Sequence, residues 1–508
     1  MLRYRSAART LGVGLSLVVI ATMLSAYNWP QFNGSSQHTG ANTQERLISR
    51  ATVGSLHRLF QVTLPSIADG APAVITGVST PGGTHDLVFL TTKDGHILAL
   101  DAHTGATVWS KQVGPGTCTI NGGSSPCYTT SSPAVDPTLA YVYSYGLDGY
   151  VHRYAIGTGD EVMGGGWPEL ATLKAFDEKS SPALSLATTV SGASYLYVAN
   201  GGYPGDLGDY QGHITAINLA DGSQKVFNTL CSDQTVHFVR APGAPDCPEV
   251  QSAVWAREGV VYSPATNKIY LATGNGAYDP SSFDWGDSVL ALNPDGSGDG
   301  AGNPLDSYTP ADYQSLQDQD LDLGSTAPAL LPQQPGCTVK HLAVQSGKDS
   351  LVRLLDLDNL SGQGGPGHTG GEVFTMNLPQ GGEVLTAPAV WVQDRIGRTN
   401  LAFRPVDWVF IAGEGGISGM KLVCDGAGNA SLSAVWTNLQ WGTSPIVADG
   451  ILFYATPNDL RALDPLTGQQ LWHDYGGIGN IHWESPVVAN GIVYITDQSG
   501  KLTAYTAS

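Results

Sequence analysis

Three carboxylates alternate at Asp318, Asp320 and Asp322 in the stretch Asp-Gln-Asp-Leu-Asp-Leu-Gly. On an extended segment alternate side chains share a face. Acids so arranged can collect calcium, or stay as a solvated loop. Other groups of interest are scattered along the chain. Asp206 and Asp209 follow the Gly-rich turn Gly201-Gly202-Tyr203-Pro204, Trp255 stands 20 residues before Asn275 of Thr273-Gly274-Asn275, and Lys348 lies in Gly347-Lys348-Asp349. Taken singly, Trp255 reads as a core aromatic, Asn275 as a turn residue beside glycine and Lys348 as a surface lysine. No Gly-x-Ser-x-Gly elbow, His-Glu-x-x-His pair or phosphate loop offers a competing chemistry.

The elements that must position these residues are announced by repetition. A small residue plus proline, followed by apolar residues, occurs at Ala71-Pro72, Ser132-Pro133, Ser181-Pro182, Ala327-Pro328, Ala387-Pro388, Ser444-Pro445 and Ser485-Pro486. A copy without its proline stands at Gln251-Ser252-Ala253-Val254, which makes eight. After each comes a looser phrase of the type Gly-His-Ile-Leu-Ala-Leu-Asp (residues 95–101) running into Thr104-Gly105. Apolar and polar residues alternate in these phrases and stop at turn residues, which predicts strand followed by tight turn. Eight such units specify one closed repeat structure. The expected fold is all-β: an eight-bladed β-propeller of four-stranded antiparallel blades over residues 27–508, with long loops gathered on one face. At roughly 60 residues per unit against about 40–45 for a minimal blade, the surplus falls in loops, and loops of that length are commonly functional.

Residues 1–26 carry Arg3, Arg5 and Arg9, an apolar run from Leu11 to Leu24 and a small residue at Ala26, the pattern of a secretory signal. Leu24 makes the cleavage site imperfect, so an uncleaved N-terminal anchor is the alternative. The expected location is periplasmic or extracellular. The net charge of −20 argues against nucleic acid or an anionic membrane as partner. Six cysteines in an exported chain predict disulfides. Spacing favours Cys118 with Cys127 and Cys231 with Cys247, leaving Cys337 for Cys424. With no Cys-x-x-Cys-His, the chain carries no c-type haem site.

From Trp29-Pro30-Gln31-Phe32 to Lys501-Leu502-Thr503-Ala504 the chain resembles the quinoprotein alcohol dehydrogenase-like propellers, which carry pyrroloquinoline quinone (PQQ) repeats. That resemblance implies PQQ and Ca²⁺ as cofactors. By the same likeness, Asp206, or Asp209 in its place, and Asn275 would ligate the metal, and Trp255 would floor the quinone. Lys348 would reach the quinone oxygens, and Asp322, with Asp320 second, would take the proton of an alcohol, polyol or sugar. Electrons would leave through a separate carrier. Departures stand beside the matches: Asp206 replaces a glutamate, the tryptophan expected before the catalytic aspartate is missing, and Cys118 and Cys127 are not the adjacent pair that covers the quinone in the family's enzymes. The same propeller serves non-catalytic members, so a secreted scaffold that binds a protein or polysaccharide is the second reading. It would use loop aromatics such as Tyr203, Tyr210, Tyr278, Phe283, Trp285, Tyr308 and Tyr313.

Overall fold

In six of the eight units the strand begins at the residue directly after the repeated proline: Ala73, Ala134, Ala329, Ala389, Ile446 and Val487. Proline has no N–H to give to a ladder, so it serves best just before a strand. The small residues around it suit the crowded centre, where strands from all blades converge. In the computed structural model, which describes residues 28–114, 116–204, 206–393 and 406–507, these are the innermost strands of eight small antiparallel sheets arranged as an eight-bladed propeller. The expected signal segment lies outside the described residues.

Blades 1 to 7 follow the chain in order: 73–112, 134–170, 185–228, 261–308, 329–377, 389–438 and 446–475. Each is an inner-to-outer meander of neighbouring antiparallel strands. Blade 8 takes three strands from residues 487–506, and its outermost strand is His57–Thr63, paired antiparallel with Lys501–Thr506 in the register Gln61 to Thr503. The first and last strands of the propeller therefore close the ring together.

The second repeated phrase forms the third strand of a blade, as in His96–Asp101. Its terminal aspartate ends it, because the Asp101 carboxylate accepts the N–H groups of His103 at 3.1 Å and Thr104 at 2.9 Å and folds the chain back. The glycine of the following Thr-Gly is needed by the neighbouring blade. A Cβ on Gly159 of blade 2 would lie 2.6 Å from the ring of Trp109 of blade 1, and one on Gly468 of blade 7 would lie 2.5 Å from Trp436 of blade 6. Both indoles also donate across the seam, to Ile156 O and Pro465 O, each at 2.8 Å. The hydrophobic core is accordingly a set of layers between blades; one layer joins Ile75, Phe89 and Trp109 to Val142 and Tyr154, another Val198 and Leu196 to Tyr143 and Trp167.

Residues 28–42 run across the axis. Their backbone or side-chain groups bond the innermost strands of seven blades: Trp29 with Val74, Pro30 with Val135, Gln31 with Leu186, Ser36 with Tyr262, Thr39 with Val390, Gly40 with Val447 and Asn42 with Val488. Trp29 and Phe32 are fully buried there. His38 bonds Phe32 O at 2.8 Å and Ser185 Oγ at 3.1 Å, and burial pushes its pKa down to about 4, so it is a neutral strut.

All three expected disulfides are present, Cys118–Cys127, Cys231–Cys247 and Cys337–Cys424. The last joins residues 87 apart in sequence, from the edge of blade 5 to blade 6. Chain-entropy arguments assign a loop of that length about 4–5 kcal/mol. The double variant Cys337→Ala/Cys424→Ala is therefore expected to show a lower urea midpoint than the native chain, whereas opening the loop at Cys118–Cys127, which spans 9 residues, is expected to shift it less.

Candidate functional site

A cavity of about 360 Å³ opens on one face at the axis, and Asp206, Trp255, Asn275, Asp320, Asp322 and Lys348 all line it. They come from the loops and connections of blades 3, 4 and 5, which the ring brings together around the axis. Asp322 is almost fully buried. It accepts the Asn275 N–H at 2.7 Å and forms an ion pair with Lys348. The Lys348 ammonium also lies 3.0 Å from Asp320, which accepts the Asn275 side-chain amide at 3.2 Å. Burial opposes a charge on Lys348, but Asp322 and Asp320 outweigh it and raise its pKa, so it is a cation. It sits 5.6 Å from the centre of the Trp255 ring, within cation–π range. Gly274 lets this cluster close up: a Cβ there would meet Asp322 Oδ1 at 2.4 Å and Trp255 Nε1 at 3.0 Å.

Asp318 departs from the expectation of three acids on one extended face. Residues Tyr313–Gln319 form a short helix, and Asp320 takes a left-handed conformation with φ 55° at its end. Asp318 therefore turns outward and accepts from Gln314 on the exposed side. Asp320 and Asp322 converge because one lysine holds both. Asp209 is outside the cavity lining; its carboxylate lies 3.4 Å from buried Lys174 and accepts the Ala241 N–H at 2.8 Å. Asp206 is in the lining, with φ 49°, and accepts the Tyr210 hydroxyl at 2.6 Å.

The opposite wall is built from residues that the sequence did not single out: Tyr128, Thr130, Lys179, Arg257 and Trp483. Lys179 sits on a two-residue strand, Glu178–Lys179, paired with Gly201–Gly202. The pair of glycines is required by close packing, since a Cβ on Gly201 would meet Ala253 at 2.6 Å and one on Gly202 the Tyr210 ring at 2.4 Å. The Lys179 ammonium lies 4.9 Å and 5.9 Å from the ring centres of Tyr128 and Tyr203 and donates to Ser181 Oγ. Burial, helped by the charge of Arg257, lowers its pKa to about 7. Arg257 is buried and donates to the carbonyls of Ser181 at 2.7 Å and Thr130 at 3.0 Å. Neither Lys179 nor Arg257 is within salt-bridge distance of a carboxylate among the described residues. Both basic side chains are buried without a direct ion pair; the charges of Asp69, Glu258 and Glu484 act on Arg257, and that of Asp69 on Lys179, from beyond that distance. A signal for this wall did exist: Thr130, Lys179 and Trp483 each stand three residues before the repeated proline.

Trp255 and Trp483 meet edge to face at 6.1 Å between ring centres. The Cys118–Cys127 disulfide is one layer further out, packed on Tyr203, which with Tyr128 forms the inner surface. The loop aromatics are not an exposed stacking surface: Tyr203, Tyr210, Trp285 and Tyr308 are buried, and Tyr278, Phe283 and Tyr313 are only partly exposed.

The architecture and repeat phrases together define an eight-bladed β-propeller. The family model described as outer membrane protein assembly factor BamB matches residues 71–165. Among solved structures, the quinohemoprotein alcohol dehydrogenase ADHIIG from Pseudomonas putida HK5 is similar over 95% of this chain and 80% of its own, with TM-score 0.61 at 14% identity. The quinohemoprotein alcohol dehydrogenase from Comamonas testosteroni gives TM-score 0.60 at 15% identity over 95% of this chain and 80% of its own. A europium-containing methanol dehydrogenase gives TM-score 0.62 at 14% identity over 94% and 98%. Likeness at this identity establishes the fold. No curated protein matches the sequence.

Proposed function

We propose that this chain is an exported quinoprotein oxidoreductase that binds PQQ in the axial cavity and oxidises an alcohol, polyol or sugar. The observation that carries the proposal is the pairing of flat aromatic walls with two buried basic side chains, Lys179 and Arg257, that make no direct ion pair among the described residues. PQQ is a planar tricarboxylate, and both of its features find a counterpart here. Trp255 and Trp483 offer ring surfaces, and Lys179 and Arg257 offer the charge that its carboxylates need. Lys348 would face the quinone oxygens from beside Trp255. For Ca²⁺ the donors are all oxygen, as that ion requires: the carboxylate of Asp206 and the amide oxygen of Asn275 would hold it, with Asp320 and Asp322 beside Asn275. Once bound, the quinone supplies a hydride acceptor; the protein supplies position and charge. Three disulfides fit an oxidising compartment.

Calorimetric and absorbance titration with PQQ, with and without Ca²⁺, tests the reading. Binding at one site per chain is expected, weakened about tenfold or more in Asn275→Ala, which removes an oxygen donor and a hydrogen bond to Asp320. A chain that binds no PQQ at any calcium concentration is a binding propeller and not a quinoprotein.

A further inference from the structure

Among the described residues seven histidines pair with carboxylates. Of these, only His482 lines the axial cavity. Its side chain is 48% exposed, whereas that of its partner Asp69 is 0% exposed. His482 Nδ1 lies 2.8 Å from Asp69 Oδ2. The carboxylate is fixed from three further directions: it accepts the Trp483 N–H at 3.0 Å and the Gln498 amide at 3.2 Å, and Lys93 lies 3.1 Å away. Burial alone would push the Asp69 carboxyl up, but the His482 hydrogen bond, the Lys93 charge and the Trp483 N–H hold it below the usual range, so it is ionised.

An ionised carboxylate can only accept, so Nδ1 carries the proton. In the neutral ring the lone pair is then on Nε2, which has no hydrogen-bond partner among the described residues and is the edge left to the cavity. This is the arrangement in which a buried acid fixes the tautomer of a histidine base. The acids expected from sequence are placed differently. Asp322 is buried and holds both the Asn275 N–H and Lys348, and Asp320 is held by the same lysine.

We propose that His482, oriented by Asp69, is the proton acceptor of this cavity. The proposal rests on the dehydrogenase reading and adds the base to it. PQQ, when bound, would supply the acceptor for the hydride that leaves with the electron pair of the breaking carbinol C–H bond. The O–H proton passes to His482 Nε2, the carbonyl forms, and the imidazolium is stabilised by Asp69. Asp322 and Asp320 then serve to hold Lys348 and Asn275. The charged groups around the ring are Asp69 and Lys93 behind it, Glu484 on its own segment, and Arg257 beside Trp483. Burial and the Asp69 charge push Glu484 up to about 8, so near neutral pH it adds little negative charge.

The test has one readout on the protein alone and one on turnover. With ¹⁵N-labelled histidine in the full chain and no ligand, the signal lost in His482→Gln is expected to show the Nδ1–H tautomer. In Asp69→Asn, which offers an amide N–H to the ring, it is expected to shift to Nε2–H. With PQQ and a dye acceptor, His482→Gln is expected to lose about 10²–10⁴-fold in kcat, with PQQ affinity within about threefold of the parent. Asp69→Asn keeps the imidazole, guards against a folding artefact, and is expected to lose a similar factor. An Nε2–H tautomer in the parent, or full kcat in His482→Gln alongside loss in Asp322→Asn, overturns the assignment while leaving the dehydrogenase reading intact. A parent that binds PQQ but oxidises no alcohol, or does not bind it at all, defeats that reading and the base with it.

Discussion

The affinity of the cavity for a carboxylate-bearing ligand is expected to rise as the pH is lowered toward 7, and Lys179→Met is expected to abolish that dependence. In the empty protein Lys179 has a pKa of about 7, brought down from 10.5 mainly by burial. A bound carboxylate favours the charged amine and raises that value, so the complex holds more protons than its components between pH 7 and the higher pKa. Over that window affinity falls up to about tenfold per pH unit, and below 7 it levels off. Calorimetry in buffers of different ionisation enthalpy checks this directly, because one proton is taken up per PQQ bound near pH 8. The same residue gives an opposite effect on stability. Its folded pKa lies below the unfolded one, so the unfolded chain binds more protons between 7 and 10.5, and stability rises with pH over that range. At pH 7 the buried lysine costs a few kcal/mol at most. Lys179→Met is thus expected to melt higher than the parent while binding the anion more weakly. A variant that loses both stability and binding would mean that the lysine is paired in solution.

Trp29→Ala is expected to lower stability by about 3–5 kcal/mol, the range for emptying a fully buried tryptophan site. The effect should not be confined to blade 1. Trp29 anchors the segment whose next thirteen residues bond the inner strands of six further blades, so a urea melt followed by tryptophan fluorescence and by circular dichroism should move as a whole. The comparison is Leu439→Ala. That residue is 75% exposed on the outside of blade 6, and its change is expected to stay within about 0.5 kcal/mol of the parent. A Trp29→Ala protein that unfolds in two steps, with only the first displaced, would show that the axial segment does not couple the blades.

Much of this architecture is legible in the sequence because the repeat has a physical period. A proline before an inner strand and an aspartate after a third strand recur, and each is dictated by local hydrogen bonding, as at Pro72 and Asp101. The clustering of Asp206, Trp255, Asn275 and Lys348 is legible only through resemblance, since nothing in their separate neighbourhoods says that blades 3, 4 and 5 meet. Asp318, Asp320 and Asp322 do not share one extended face because Asp318 lies in a helix of seven residues that ends at Asp320, too short to leave a periodic signature. Lys179 and Arg257 escape notice in the sequence because lysine and arginine are ordinarily surface residues. What makes them unusual is burial without a direct ion pair, a property of the assembled ring and not of any window of sequence. The axial segment is opaque for a similar reason: Trp29 to Asn42 has no repeat of its own, and its partners lie up to 446 residues away.

The clasp in blade 8 has a consequence for when this ring can exist. Its outermost strand, His57–Thr63, is made before any other blade, and its partner, Lys501–Thr506, after all of them. Until that partner emerges the ring has two open edges, each a row of unpaired N–H and C=O groups. Pairing of the two strands removes those two edges together and closes blade 8 between blades 7 and 1. The last six strand residues of the propeller thus decide when its first strand acquires a partner, and the ring closes only when nearly the whole chain is available.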